Sequence, residues 1–176
     1  MKDLINEAMS LTGRMTRDEV AWVYEQAKGH KIAIEIGVYR GRTTKILANI
    51  CEKVFCIDPY FADIDMQYFL DNLRFEIEQN KILLIRQKSC DAIPFLRRNM
   101  QKADLIWIDG DHGYECVKQD IQNYIPLLSD DGILIGHDGN NKGQPGVDKA
   151  LKECIPDFKP GVRSTWLWTK SANMPK

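Results

Sequence analysis

Five short apolar runs alternate along the chain with segments of helical spacing. The runs lie at 31–37, 53–58, 82–86, 104–109 and 132–138. They are apolar on both faces, which is typical of central parallel strands covered by helices. The intervening segments carry apolar residues three or four positions apart, at 43–51, 66–79, 91–100 and 115–128. This alternation predicts an α/β fold, in which a doubly wound, mostly parallel sheet has helices on both faces.

Two further segments precede the first apolar run. Residues 2–11 and 16–27 have the pattern of amphipathic helices. Thr16, with Glu19 three positions later, carries the signature of a capping box at the start of the second helix. We expect these helices either to cover one face of the sheet or to frame the entrance for a substrate.

The chain length and the tail indicate a single domain. A chain of 176 residues, 44% hydrophobic and 28% charged, has ordinary globular composition and the size of one domain. Beyond a loop rich in Gly, Asn and Pro at 139–146, residues 164–170 alternate as a closing strand does. We predict one domain over 1–176, with a helical cap at 1–29 and the core at 30–176.

Charge and cysteine usage narrow the range of partners. Lys and Arg number 24 against 25 Asp and Glu, so the net charge is −1 and a basic footprint for nucleic acid is missing. The five cysteines are an odd number without a C-x-x-C pair, which is typical of a reducing compartment. The start MKDLINEAMS is acidic where a signal peptide is basic, and the chain lacks the roughly 18 consecutive apolar residues of a membrane span. We predict a cytoplasmic protein without nucleic-acid or membrane partners, and self-association into a homo-oligomer stays open.

The turn after the first run is suited to ligand binding. Gly37 and Gly41 bracket it, and a helix begins near Thr43, so backbone without Cβ lets a ligand approach a helix N-terminus. A dinucleotide fingerprint needs G-x-G-x-x-G, whereas this run is G-x-Y-x-G with Tyr39 in the turn. Glu35 is an acid in an apolar strand and needs either local backbone donors or a cationic partner. The pattern disfavours pyrophosphate and fits a sulfonium nucleoside, whose methionine part carries an ammonium; we expect these five residues to contact it.

Three more candidate residues follow the second and third runs. Asp58 ends the second run about one βαβ unit after Glu35, where an acid can accept hydrogen bonds from both ribose hydroxyls. Nicotinamide-dependent enzymes share that position, so it discriminates poorly. Ser89 and Cys90 follow the third run, where they either meet the adenine edge or cap the next helix.

The fourth and fifth runs both end in polar side chains. Ligands of open α/β sheets bind at such carboxyl ends. The residues are Asp109, Asp111 and His112 after the fourth run, and His137, Asp138 and Asn140 after the fifth. Asp109 and Asp138 end runs that we expect to be neighbours, so they either converge on one divalent cation such as Mg²⁺ or cap loops without a metal. His112 in its neutral form can accept a proton near neutral pH.

Taken together, these residues resemble those of the class I S-adenosylmethionine-dependent methyltransferases over about 30–150. The resemblance is to the small O-methyltransferase branch, which includes catechol and macrolide-sugar enzymes. In that branch an aromatic residue often replaces the middle glycine of the turn, as Tyr39 does here. The resemblance implies a Rossmann-like fold and S-adenosylmethionine as cofactor. It places Glu35 at the methionine amine, Asp58 at the ribose and Ser89 near the adenine.

A metal site is also implied by the resemblance. Asp109 and Asp138 match the pair of acidic ligands in the branch. Catechol-type enzymes have an Asn directly after the second Asp, where this chain has Gly139. We therefore expect His137 or Asn140 to complete the protein ligands.

For the transfer itself, the resemblance implies His112 as general base, because the macrolide-sugar enzymes use a histidine three residues after the first metal-binding Asp. Asp111 is the second candidate, and a purely structural His112 stays open. Asp109 is also expected beside the cofactor. We predict O-methylation of a small hydroxylated acceptor. The alternatives are a non-catalytic nucleoside-binding module and, opposed by the G-x-Y-x-G turn, a nicotinamide oxidoreductase.

Overall fold

The computed structural model describes residues 1–170, which form a seven-stranded sheet and eight α-helices. The strands are β1 (Ile32–Ile36), β2 (Lys53–Ile57), β3 (Ile82–Ile85), β4 (Ala103–Ile108), β5 (Leu128–Gly136), β6 (Lys159–Pro160) and β7 (Trp166–Thr169). The helices are α1 (Lys2–Ser10), α2 (Arg17–Ala27), α3 (Arg42–Ile50), α4 (Asp63–Asn72), α5 (Arg74–Glu78), α6 (Ser89–Asn99), α7 (Tyr114–Tyr124) and α8 (Pro145–Cys154).

The strand order is β3-β2-β1-β4-β5-β7-β6, and the first five strands are parallel. Strands β2 and β3 follow β1 on one side of the sheet, and β5 follows β4 on the other side, so the strand order reverses between β1 and β4. Loops leaving their carboxyl ends diverge there and open the crevice in which such sheets bind ligands. The strand predicted in 164–170 is present as β7, which pairs antiparallel with β5, but β6 lies beyond it at the edge of the sheet. The predicted doubly wound, mostly parallel sheet is confirmed.

Apolar side chains from alternating strand positions form two cores, one on each face of the sheet. Helices α1 to α5 pack on the face that carries Ala33, Val54 and Trp107. Helices α6 to α8 pack on the face that carries Ile34 and Ile106. Because every central strand is buried on both faces, its sequence reads as a continuous apolar run. The prediction of helices on both faces is confirmed.

The single helix predicted over 66–79 is wrong, since the structure has α4 and α5 there. Leu73 separates them with φ −118° and ψ 17°, outside the helical range, and its side chain is fully buried. That side chain packs on Gly41, where an added Cβ would lie 2.6 Å from Leu73 Cδ1. Tertiary packing against the glycine turn therefore interrupts a helix that the apolar spacing favours.

The predicted helix over 115–128 and strand over 132–138 also have different bounds. Helix α7 ends at Tyr124 and a 3-10 turn, Ile125–Leu127, follows because Pro126 has no N–H to continue the α-helical pattern. Strand β5 begins directly after it and stops at Gly136, since Asp138 has a left-handed φ of 61° that breaks the pleat.

The two predicted N-terminal helices are present as α1 and α2. Glu19 Oε2 accepts hydrogen bonds from the Thr16 N–H and hydroxyl, both at 2.8 Å, so the capping box is confirmed. In the described part of the chain, every helix is too short or too polar to cross a membrane. The predicted domain over 1–176 includes 171–176, which lie outside the described residues.

Candidate active site

The predicted site residues lie at one edge of the sheet. Gly37, Asp58, Ser89, Asp109 and His137 follow β1, β2, β3, β4 and β5 in turn. Because these five strands are parallel, their carboxyl ends share that edge. The fold thus gathers residues from across about a hundred positions of sequence at the edge where ligands of this architecture bind.

The conformation and packing of the glycine turn require glycine at both ends. Gly37 and Gly41 have left-handed φ angles of 81° and 89°. A Cβ on Gly37 would lie 2.1 Å from the carbonyl oxygen of Asp109, and one on Gly41 would meet Leu73. Tyr39 in the same turn also has a positive φ, of 48°, and its side chain is 41% exposed. Packing against Asp109 and Leu73 therefore holds the turn in one strained conformation.

Asp58 fixes that turn from the neighbouring strand. Its Oδ2 accepts hydrogen bonds from the N–H groups of Val38 and Tyr39, each at 3.1 Å. Its Oδ1 accepts one from the Tyr60 N–H at 2.8 Å. The Tyr60 hydroxyl then donates to the Tyr39 carbonyl at 2.8 Å. Two carboxylate oxygens offer about four lone-pair sites, so three backbone bonds leave Asp58 with some capacity for a ribose hydroxyl.

Glu35 lies below the turn and is fully buried in β1. Burial raises the pKa of its carboxyl to about 8, because the charged form is removed from water. The nearby Thr44 hydroxyl acts to lower that pKa, and the Cys56 thiol lies 4.0 Å from Oε2, but Oε1 has no aligned hydrogen-bond partner. An orphaned acceptor at this depth is costly, so its chemistry fits a cationic or donor group brought by a ligand.

Other predicted cofactor residues have partners within the protein. The hydroxyl of Thr43 contacts Met15 Sδ at 3.1 Å. Ser89 begins α6, and its carbonyl accepts a hydrogen bond from the Tyr124 hydroxyl at 2.8 Å. Cys90, next to it, is exposed. Ser89 does not cap the helix, because the N-cap of α6 is Lys88 and no side chain forms a capping hydrogen bond there. Of the two roles predicted for Ser89, the contact with adenine stays a prediction.

A cluster of acids and imidazoles lies where β4 and β5 end. Ligand atoms of Asp109, His137 and Asp138 all lie within 4.8 Å of one another, which is close enough to hold one metal ion. His112 joins them, with Nε2 2.9 Å from Asp138 Oδ2 and 3.7 Å from Asp109 Oδ1. That buried Nε2 makes no aligned hydrogen bond. The structure thus brings together four of the predicted residues, with His112 in ion-pair contact with Asp138.

The charges in this cluster balance one another. Contacts with Asp109 and Asp138 raise the pKa of His112 to about 10. Burial acts to lower the pKa of His137, but contact with Asp138 and the charge of Asp109 outweigh it and raise that pKa to about 9. The two histidines in turn hold the pKa of Asp138 far below its usual range, while burial raises that of Asp109. At neutral pH two protonated imidazoles therefore offset the acids.

One functional candidate that the sequence analysis missed is Glu19, in the N-terminal helix α2. Its side chain is 3% exposed, and Oε1 lies 3.1 Å from His137 Nε2. The Ser164 hydroxyl bridges the pair, 2.9 Å from each. Behind them, Trp166 Nε1 donates to the His137 carbonyl at 3.0 Å. These contacts leave His137 Nδ1 facing Asp138, at 3.4 Å.

Two of the predicted residues lie at the margin of the cluster. Asp111 is exposed, and its Oδ1 accepts a hydrogen bond from the Gly113 N–H at 2.6 Å. The Asn140 N–H donates to Asp148 Oδ1 at 2.7 Å. Its neighbour Asn141, which sequence reasoning did not select, donates from Nδ2 to Asp138 Oδ1 at 2.5 Å.

Comparison with known proteins agrees with this geometry. Residues 34–139, more than half of the chain, match the methyltransferase domain family. The chain belongs to this family. The match runs from β1 through the end of β5, and so includes the glycine turn and the acid–histidine cluster. The prediction of a methyltransferase is confirmed.

Relatives of this methyltransferase domain share its fold at low identity. An O-methyltransferase from Bacillus cereus in complex with SAH superposes with a TM-score of 0.72 at 13% identity, over 96% of this chain and 91% of that one. CalS11, a TDP-rhamnose 3′-O-methyltransferase of calicheamicin biosynthesis, gives 0.69 at 16% identity, over 96% and 80%. The uncharacterised protein R132 of Acanthamoeba polyphaga mimivirus is 24% identical over 139 residues, 76% of this chain. This chain spans only 63% of that relative's length.

Proposed function

We propose that this methyltransferase transfers the methyl group of S-adenosylmethionine to a hydroxyl of a small acceptor, with help from a divalent cation. The observation that carries the proposal is the cluster of Asp109, His112, His137 and Asp138 at the carboxyl edge of a methyltransferase domain. Carboxylates and imidazoles at that edge can hold a cation, orient an acceptor oxygen and take up its proton. A nucleoside-binding module without catalysis would have no use for such a group.

The residues around the glycine turn fit the cofactor. Glu35 has a buried oxygen without a partner, which suits the ammonium group of the methionine part. Asp58 has acceptor capacity left for the ribose, and the turn between Gly37 and Gly41 is pre-formed. When bound, S-adenosylmethionine would supply an activated methyl group on a positive sulfur. The protein's part is to hold that methyl group in line with the acceptor oxygen, a positioning effect of about 7–11 kcal/mol.

The acid–histidine cluster fits a divalent cation. Asp109, Asp138 and His137 would be its protein ligands, since their ligand atoms already lie within 4.8 Å of one another. The cation would supply Lewis acidity that lowers the pKa of the acceptor hydroxyl. Carboxylate and imidazole donors are a ligand set that suits such a cation.

His112 is the proposed base. A base must be neutral to accept a proton, and the carboxylates of Asp109 and Asp138 beside His112 keep it protonated at neutral pH, with a pKa of about 10. A divalent cation bound by Asp109 and Asp138 would oppose that effect and lower the pKa of His112, which favours its neutral form. Bound S-adenosylmethionine would supply the methyl group to a lone pair of the acceptor oxygen and would leave as S-adenosylhomocysteine, so the protein has only the hydroxyl proton to remove. The hydroxyl proton passes to His112, or to Asp111 as the second candidate.

The test is a turnover assay under metal control. The protein is incubated with S-adenosylmethionine and a panel of hydroxylated small molecules, and S-adenosylhomocysteine is quantified. Turnover that stops in EDTA and returns with Mg²⁺ supports the proposal. Binding of S-adenosylhomocysteine without turnover on any acceptor would favour the non-catalytic module, and full turnover in EDTA would remove the metal.

A further inference from the structure

A cleft lies between the loop 139–146 and helix α8, beside the proposed site. It has a volume of about 490 Å³, within the range that small-molecule sites occupy. Three lysines line it: Lys142 from the loop, and Lys149 and Lys152 from successive turns of α8. Positive charge is therefore concentrated in a chain whose net charge is −1.

None of these lysines forms an ion pair among residues 1–170. The charge of Lys149 helps to lower the pKa of Glu153, but Glu153 pairs directly with Lys118 on α7 at 2.7 Å. One acid, Asp148, also lines the cleft, but its Oδ1 is occupied by a backbone N–H. Three ammonium groups against one engaged carboxylate leave the cleft with a surplus of two positive charges, so it suits an anion that carries more than one charge.

One of the lysines is held in place by an aromatic ring. The Lys149 ammonium lies 3.8 Å from the centre of the Tyr114 ring, a cation–π contact. Tyr114 begins α7, only two residues after His112. Helix α8 is packed hard against the same segment, since a Cβ on Gly146 would lie 2.6 Å from the His112 carbonyl oxygen. The position of the lysine cleft is thus fixed relative to the proposed base.

The cleft also connects to the acids. Asn141 lines it and at the same time donates a hydrogen bond to Asp138 at 2.5 Å. One side chain, Asn141, therefore separates the cleft from the acid–histidine cluster.

We propose that the cleft lined by Lys142, Lys149 and Lys152 binds a phosphate or diphosphate group of the acceptor, so that this methyltransferase acts on a phosphorylated hydroxyl compound. The inference rests on the proposed function, since it assigns the acceptor's far end once its hydroxyl lies at the acid–histidine cluster. Charge selection at the lysine end would set the direction in which the acceptor enters.

The probe for this cleft is inorganic pyrophosphate, titrated calorimetrically into the full chain in metal-free buffer so that no cation links it to the acids. We expect saturable binding that weakens with added salt. The double variant Lys149→Glu/Lys152→Glu should bind at least about tenfold more weakly. The matched control, Lys2→Glu/Lys31→Glu, changes the net charge equally, with Lys2 on α1, on the opposite face of the sheet from α8, and Lys31 at the amino end of β1; it should bind as the wild type does.

Two results would overturn the inference: no saturable pyrophosphate binding by the wild type, or equal weakening in the cleft variant and in the control, which would mean a bulk charge effect. A parallel titration with S-adenosylhomocysteine separates the two levels of the argument. If the wild type binds S-adenosylhomocysteine and the cleft variant binds pyrophosphate as tightly as the wild type, only the phosphate site is rejected. If the wild type does not bind S-adenosylhomocysteine, the proposed function is rejected, whatever the pyrophosphate titrations show.

Discussion

Replacing Glu19 by glutamine tests whether the N-terminal helix supports the proposed metal site. Glu19 contacts His137 with one oxygen and caps α2 with the other. A carboxylate on the far nitrogen of a metal-binding histidine fixes the ring and raises its basicity as a ligand. Glutamine preserves the size of the side chain but removes that charge, so we expect the metal affinity and the stability both to fall.

The size of each effect follows from the contacts. Losing such an outer partner of a metal ligand weakens metal binding about 10–100-fold. Glu19 is 3% exposed, so its hydrogen bonds are shielded from water, and a bond to a charged group contributes about 1.5–3 kcal/mol to the free energy of unfolding. Burial acts to raise the pKa of Glu19, but hydrogen bonds from Thr16 and Ser164 and the charge of His137 lower it overall. Stability from Glu19 is therefore present above the unfolded-state pKa and lost as the pH falls through the folded value.

The assay is Mn²⁺ binding followed by electron paramagnetic resonance, with urea unfolding measured on the same samples. Thr16→Ala is the matched control, because it removes the capping hydroxyl but leaves the contact between Glu19 and His137. The control should cost about 0.5–2 kcal/mol of stability with unchanged Mn²⁺ affinity. If Glu19→Gln instead binds Mn²⁺ as tightly as the wild type, Glu19 is only a capping residue. Wild-type protein that binds no Mn²⁺ would reject the metal itself.

Three other predictions concern the cofactor and the acids. Asp58→Ala should weaken S-adenosylhomocysteine binding in calorimetry and also lower the melting temperature, because three backbone N–H groups lose their acceptor; wild-type affinity would exclude it from the ribose site. Glu35 has a pKa of about 8 and so is mostly protonated at pH 7 without cofactor; an arriving ammonium favours the carboxylate, so binding should release up to about one proton. Titrations in two buffers of different ionisation enthalpy measure that release, which Glu35→Gln should abolish. Asp138→Ala should be inactive yet bind S-adenosylhomocysteine like the wild type; residual metal-dependent turnover would contradict its role as a ligand.

Most of the fold follows from local pattern. Parallel strands buried on both faces give continuous apolar runs, so β1 to β4 lie where the sequence predicts them. The errors arise where distant parts of the chain intervene. Leu73 breaks a helix because it packs on Gly41, more than thirty residues earlier. Spacing within a segment contains no information about such a contact.

In the candidate site, too, the residues at strand ends follow from local pattern, whereas contacts between distant segments do not. Acids at strand ends were predictable, because parallel strands bring their carboxyl ends to one edge. The contact between Glu19 and His137 joins residues 118 apart and could not be derived from either segment alone. A signal was nevertheless present: Glu19, Val23 and Ala27 form one buried stripe on α2, and a charged residue in an apolar stripe needs a partner.

This chain has Gly139 where the catechol-type enzymes have an asparagine, and the packing at that position explains the difference and bears on the third metal ligand. A Cβ at Gly139 would lie 2.9 Å from Trp166 Cδ1, so an asparagine directly after Asp138 would collide with the closing strand. The nearby amide is supplied by Asn141, which donates to Asp138 at 2.5 Å while its own Oδ1 accepts a backbone N–H two residues on, at 2.9 Å. The Asn141 amide is thus engaged at both ends, its nitrogen on the acid and its oxygen on the loop backbone, and it orients Asp138. His137, held by the same tryptophan and with Nδ1 facing Asp138, is therefore the side chain best placed to complete the protein ligands.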